Sequence, residues 1–204
     1  MIHLNGNLLC AIDTETTGLI PGFHDIIQLS IVPLDFDIEP HPDINTFDIF
    51  MEPSRPQNID YKAMSVSRIQ LDKICKSGLN PIACIDYIHE WVNRLKLPEG
   101  KKIVPLGCNY CFDMVHLMSW MGPSNYWSVF HGHYRDIQTS CLFHNDIADF
   151  HATQIPHPKV GLKDIATSLN VEMDEQRLHD SLYDCWITAK CYRAKLLKMN
   201  LLPY

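Results

Sequence analysis

Five apolar residues, Leu8 to Ile12, run straight into Asp13-Thr14-Glu15. No other stretch constrains the fold so strongly. A continuous apolar run this short, bounded by Thr16-Thr17-Gly18 and then Pro21-Gly22, reads as a strand driven into the core. Along a strand, side chains two apart point the same way, so Asp13 and Glu15 project together while Thr14 points opposite. Two carboxylates side by side at the end of a buried strand repel each other and lose hydration, so a proton or a cation must sit with them. Paired hard oxygens suit Mg²⁺ or Mn²⁺. The bland reading is that the strand has already ended and both acids are solvated. For an isolated D-x-E the bland reading wins.

The rest of the pattern gives strands first, then strands mixed with helices. Residues 25–35 alternate well enough to read as a second strand, 46–53 read as a third, and 61–77 as helical. Pro81–Leu95 makes an amphipathic helix with Ile85, Ile88, Val92 and Leu95 on one stripe. Residues 101–107 read as a fourth strand, and 111–122 as a helix stopped by Gly122-Pro123. Residues 134–140 suggest a fifth strand running into a helix, 149–161 a surface loop, 162–170 a short helix and 180–199 a long last one. This order predicts an α/β fold, a mixed β-sheet flanked by α-helices, in a single domain over residues 1–204. A chain of 204 residues is long enough for one sizeable core.

Composition narrows the function. No apolar run approaches the ~20 residues of a membrane span, and Met1–Asn7 lacks a basic segment followed by an apolar one. The expectation is a cytoplasmic protein without a membrane span. The eight cysteines sit mostly in apolar patterns, where reduced Cys behaves as a small hydrophobe. The net charge of −7 argues against a broad electrostatic grip on nucleic acid. It suits a small substrate, a short footprint, or an acidic site that cations neutralise.

Two more acids fall on apolar helix faces. Asp113 lies about 40° and 20° around the axis from Leu117 and Trp120. An N-cap is the alternative, because Asp113 is near the helix start. Asp184 aligns with Ile187, Thr188 and Cys191, and an acid there needs a partner. His179 is five positions earlier, so the two converge only if His179 sits at or before the N-cap, with Asp180 or Ser181 opening the helix. Taken alone, His179 is an ordinary loop histidine.

D-x-E on the first strand, an aspartate opening a central helix, and H-x-x-x-x-D at the last helix form a specific constellation. In that order it resembles the DEDDh 3′–5′ exonuclease family of the ribonuclease H-like superfamily. Ile12–Leu19 ("IDTETTGL") is similar to the family's first motif, Gly107–Leu117 ("GCNYCFDMVHL") to its second, and Leu162–Val171 with Leu178–Thr188 to its third. The likeness spans nearly the whole chain. It implies that Asp13, Glu15, Asp113 and Asp184 hold two divalent cations, Mg²⁺ or Mn²⁺, with His179 as general base for the attacking water. It further implies that Thr14, Thr16, Thr17, Leu19, Asn109 and Phe112 line the terminal nucleotide, Thr17 through its backbone. Cys108 departs from members that carry His beside the Asn. The implied partner is single-stranded nucleic acid with a free 3′ end. "DTETTG" looks more like the proofreading exonuclease subunit and favours DNA, whereas "HYR…D" at 133–136 has some likeness to oligoribonuclease. A polymerase partner is compatible with the sequence but nothing in it points to one.

Two rivals remain. Cys108 and Cys111 with Cys141 and His144 have zinc-like spacing inside each pair, though the 29-residue gap between the pairs is long. A catalytically silent binding or adaptor module is the other, and it would be expected to have lost ligands. The clearest basic cluster, Lys190, Arg193, Lys195 and Lys198, is expected on the outer side of the last helix, as a solvated face or a strand-binding path.

Overall fold

In the computed structural model, which describes residues 3–67 and 69–199, strand β1 (Leu8–Thr16) is the centre of a five-stranded sheet. It pairs antiparallel with β2 (Ile26–Pro33), which pairs antiparallel with β3 (Phe47–Phe50). On its other side β1 runs parallel to β4 (Ile103–Gly107), and β4 parallel to β5 (Arg135–Asp136). The spatial order is β3-β2-β1-β4-β5. Around the sheet lie the helices α1 (His3–Gly6), α2 (Tyr61–Ser67), α3 (Leu71–Ser77), α4 (Pro81–Arg94), α5 (Tyr110–Met121), α6 (Pro123–Val129), α7 (Ile137–Phe150), α8 (Leu162–Leu169) and α9 (Ser181–Met199). This is the α/β architecture that the strand and helix patterns predict.

The alternation along β1 divides the molecule into two layers. Leu8, Cys10 and Ile12 pack with Ile88 and Trp91 of α4 and Leu117 and Met121 of α5. Leu9 and Ala11 face the other way, against Cys185 and Ala189 of α9. All five are at most 3% exposed, and each Leu or Ile so buried contributes roughly 1.5–3 kcal/mol relative to exposure. By the same alternation Asp13 and Glu15 continue the α9 side and Thr14 the α5 side.

Several elements differ from expectation. The helical stretch expected over 61–77 is present as two helices, α2 and α3, with residue 68 outside the described residues. Helix α6 starts where Gly122-Pro123 reads as a stop, because Pro123 at its first turn also opens a helix. Strand β2 does not alternate: all eight of its residues are buried, as befits a strand with neighbours on both sides and layers on both faces. On α4 the deepest residues are Pro81, Cys84, Ile88 and Trp91, with Ile85, Val92 and Leu95 packed beside them. The expected surface loop at 149–161 begins inside α7, and its His157 is buried. Among the described residues, no helix is long and apolar enough to cross a membrane.

Candidate active site

The parallel strands β1, β4 and β5 all end at one edge of the sheet, where open α/β sheets place their ligands. The β1–β2 ladder shifts register between Glu15 and Thr16, a bulge of the kind that re-aims side chains beside active sites. Asp13 and Glu15 project there toward the first turn of α9, which carries Asp184. The Ser181 hydroxyl donates to the Asp13 carbonyl at 2.6 Å and ties the start of α9 to β1.

His179 meets the condition for convergence. Asp180 caps α9, its carboxylate accepting the Tyr183 amide at 3.2 Å. His179 stands just before that cap in a left-handed conformation, φ 68°. Its backbone amide donates to Asp184 Oδ2 at 3.1 Å. Side-chain atoms of Glu15, His179 and Asp184 that could ligate a metal ion lie within 4.8 Å of one another.

Asp113 reaches the same edge from the opposite layer. It is in the first turn of α5 and only 3% exposed. Both the amide and the hydroxyl of Thr14 donate to its Oδ1, at 2.9 and 2.7 Å.

Burial first, and mutual repulsion second, raise the pKa values of Asp13 and Glu15. Asp13 rises well above the carboxylate range, pushed after burial by Asp113, Asp184 and Glu15. Glu15 rises to about 9, from burial and then Asp184, Asp113 and Asp180. Asp113 and Asp184 rise to about 7, mainly from burial. The Thr14 bonds hold Asp113 back, and the His179 amide holds Asp184 back. Among the described residues no Lys or Arg forms an ion pair with any of the four. Asp184 Oδ1 is buried without a hydrogen-bond partner. Four carboxylates, a bare buried oxygen and an adjacent imidazole fit divalent cations of the hard, oxygen-seeking kind.

The residues expected to line a nucleotide divide into two groups. Leu19 is 71% exposed, Asn109 is exposed and Phe112 half-buried, and the Asn109 side chain caps nothing on α5. Thr14, Thr16 and Thr17 are buried and committed elsewhere. Thr14 holds Asp113, the Thr16 hydroxyl donates to the Gly18 carbonyl at 2.7 Å, and the Thr17 hydroxyl accepts the Asp25 amide at 2.9 Å. The Thr17 carbonyl accepts the Asp60 amide at 2.8 Å. These bonds shape the turn that presents Leu19. Gly18 is required in it, because an added Cβ would come within 2.5 Å of the His24 ring.

Further features stand outside the expected residue set. A groove of about 490 Å³ borders His179 and Asp180 and is lined also by Gln70 and Lys73 on the α3 side and by Arg177. Arg177 lies over the Tyr183 ring, 4.3 Å from its centroid. Asp136 accepts the first amide of α5 at 2.6 Å. Lys195, expected on an outer face, is 4% exposed and donates to His144 Nδ1 at 3.0 Å and His157 Nε2 at 3.1 Å. The zinc alternative does not assemble: among the described residues the only metal-competent group of three is Glu15, His179 and Asp184, and Cys108, Cys111 and Cys141 are free thiols.

Residues 10–192 match the RNase_T family, described as exonuclease. Over 106 residues the chain is 27% identical to a 3′–5′ DNA exonuclease, Cap18, of Escherichia coli, covering 52% of each chain. The fold is similar to that of exonuclease I from Methylocaldum szegediense, with TM-score 0.72 and 19% identity over 96% of this chain and 41% of that one. It is also similar to E. coli exonuclease I in complex with a dT13 oligonucleotide, with TM-score 0.69 and 16% identity over 95% and 43%. The chain thus spans about half the length of the curated relative and less than half of these structures.

Proposed function

The chain belongs to the exonuclease family, and on that premise we propose that it is a 3′–5′ exonuclease. In this reading it hydrolyses the terminal phosphodiester of single-stranded nucleic acid, DNA in preference to RNA, and releases nucleoside 5′-monophosphates. The observation that carries it is the convergence of Glu15, His179 and Asp184 within 4.8 Å beside Asp13 and Asp113. The oligonucleotide complex of exonuclease I supports a single strand as substrate, and the curated relative, named a DNA exonuclease, supports DNA.

Asp13, Glu15, Asp113 and Asp184 would hold two divalent cations, Mg²⁺ or Mn²⁺. Such a pair, when bound, lowers the pKa of a water and stabilises the attacking and leaving oxygens of an in-line displacement. His179 takes the proton from the attacking water at an imidazole nitrogen, the commonest side-chain group for general-base catalysis. The water oxygen bonds to phosphorus, the bond to the 3′-oxygen of the preceding nucleotide breaks, and that oxygen leaves as a hydroxyl by taking a proton from solvent water, while His179 returns its proton to solvent. Leu19 and Phe112 give the terminal base an apolar surface, and the uncommitted Asn109 side chain supplies polar contacts beside it.

A digestion panel tests the reading: single- and double-stranded DNA, RNA, dinucleotides, 3′-blocked and circular strands, with and without Mn²⁺. The expected outcome is Mn²⁺-dependent release of 5′-monophosphates from free 3′ ends of single-stranded DNA. Cleavage of circles would replace it with an endonuclease on the same fold, and preferential digestion of RNA with an exoribonuclease. Binding without any turnover would make the chain a silent module.

A further inference from the structure

Asp136 ends β5, and its carboxylate joins two helices. Oδ1 accepts the Thr139 amide at 2.9 Å and caps α7. Oδ2 accepts the amide of Tyr110, the first residue of α5, at 2.6 Å. The bond matters because α5 does not cap itself: Asn109 is left-handed, φ 63°, and its side chain makes no cap bond. A helix start leaves its first amides without partners, and here one is satisfied from a strand 26 residues further on. Gly107 pairs with Asp136 in parallel register. A Cβ on Gly107 would stand 2.8 Å from the Tyr110 Cβ, so the first turn of α5 is also confined from that side. The buried Tyr110 hydroxyl lies 2.9 Å from that of Tyr126. Asp113 sits three residues along this clamped turn.

We propose that Asp136 is a positioning residue for the metal centre: by holding the first amide of α5, it sets where Asp113 stands relative to Asp13 and Glu15. The proposal rests on the reading of the four carboxylates as cation ligands. Thr14 fixes one oxygen of Asp113, whereas the direction of the other depends on the placement of the helix that carries it. Asp136 touches neither cation nor substrate in this role and acts through the backbone of α5. Groups that orient metal ligands in this way are typically worth 10- to 100-fold in metal affinity.

The test is calorimetric titration of Mn²⁺ into the full chain, with melting temperatures recorded alongside. Asp136→Asn and Asp136→Ser both keep a good N-cap for α7 but cannot serve both amides. Asn80→Ala is the control, because it removes a cap on α4 that accepts the Ile82 amide at 2.9 Å away from the acidic residues. The expected result is about tenfold or greater loss of Mn²⁺ affinity in both Asp136 variants and none in Asn80→Ala, at comparable losses of melting temperature. The KM for a 3′-tailed oligonucleotide at saturating Mn²⁺ should stay within about twofold. If the wild type binds Mn²⁺ and the Asp136 variants match it within twofold, the proposal is overturned and the metal centre stands. Equal losses in Asn80→Ala would overturn it too, as a mere effect of stability. A wild type that takes up no Mn²⁺ overturns the metal centre itself, and this proposal with it.

Discussion

Thr14 and Asp113 meet at a single oxygen, Oδ1 of the carboxylate, which accepts the Thr14 amide at 2.9 Å and its hydroxyl at 2.7 Å. The pairing explains how a carboxylate from the α5 layer joins two that face α9. Because Thr14 alternates with Asp13 and Glu15, it is the one residue of that triplet able to reach the other layer. The strand end thus organises acids on both sides of the sheet.

Thr14→Val removes the hydroxyl donor and keeps the amide. A hydrogen bond to a charged group is worth about 1.5–3 kcal/mol, so ionised Asp113 should be disfavoured and the half-saturating Mn²⁺ concentration should rise by about tenfold. An increased KM for oligonucleotide at an unchanged Mn²⁺ requirement would assign Thr14 to the substrate instead.

Asp13→Ala, Glu15→Ala, Asp113→Ala and Asp184→Ala should each nearly abolish Mn²⁺-dependent turnover, and near wild-type activity in any one would remove that residue from the ligand set. Without metal these variants should keep or gain stability, because removing a carboxylate relieves repulsion. Asp113 and Asp184 titrate near 7 in the folded chain, against about 4 when unfolded. A raised carboxylate contributes stability that is complete below about pH 4 and is lost as pH rises through 7. Metal-free wild type should therefore lose at least ~1 kcal/mol relative to Asp184→Asn between pH 5 and pH 8. Parallel denaturation curves for the two proteins across that range would contradict it.

Much of this site could be read from spacing, because its rule is local. The i, i+2 pair on β1, Asp113 on the inner face of α5 and Asp184 on the inner face of α9 follow from strand and helix periods. The position of His179 followed from a cap, and Asp180 is that cap. What spacing could not reveal was distance bridged by the fold: Asp136 serves an amide 26 positions away, and the groove beside His179 is built from α3 and the loop before α9. The burial of Lys195 obeys the same local rule. Lys195 follows Asp184 by eleven positions, about 20° around the axis, so it belongs to the inner stripe and not to the outer face. Helix α6 is not legible from the same rule, because Gly122-Pro123 ends one helix and starts the next.

His179→Ala should lower turnover by ~10²-fold or more, the usual worth of a general base, with Mn²⁺ affinity nearly intact. The side chain also lies within 4.8 Å of possible ligand atoms of Glu15 and Asp184, so a direct bond to metal is the specific competitor. Calorimetry separates them: loss of a Mn²⁺ equivalent in the variant would make His179 a ligand.

The Lys195 cluster predicts an acid-labile clasp between α9 and the segment before α8. Burial, Lys195, His144 and Lys198 push the His157 imidazole down to about 4, from an unfolded value near 6.5. A depressed histidine contributes stability that is present above pH 6.5 and lost as pH falls toward 4. The loss should be on the order of 2 kcal/mol. His157→Gln should flatten that part of the stability profile, measured against wild type in a background lacking Asp184. If both proteins lose stability equally between pH 6.5 and pH 4, the neutral imidazole is not what holds the segment.

The last prediction concerns how a chain of net charge −7 holds a polyanion. The basic cluster expected on the last helix is not an open path. Arg193 lies 3.4 Å from Glu39, and Lys195 is buried between two histidines. Cations nearer His179 are Lys73 and Arg177, both lining the adjoining groove. Two such contacts, at about −0.7 each for a single strand, give a slope of log affinity against log salt near −1.4. Stacking on apolar surfaces such as Leu19 and Phe112 adds a salt-insensitive part, worth ~1–3 kcal/mol per base on aromatic platforms. The expected behaviour is a salt slope of magnitude about 2 or less, a footprint of a few nucleotides, and distributive digestion. Binding of a 3′-tailed oligonucleotide to the Asp184→Ala variant across a salt series, at fixed Mn²⁺, measures the slope. Lys73→Ala should then reduce its magnitude by about 0.7. A wild-type slope steeper than about −4 would require a longer basic track than Lys73 and Arg177 can provide.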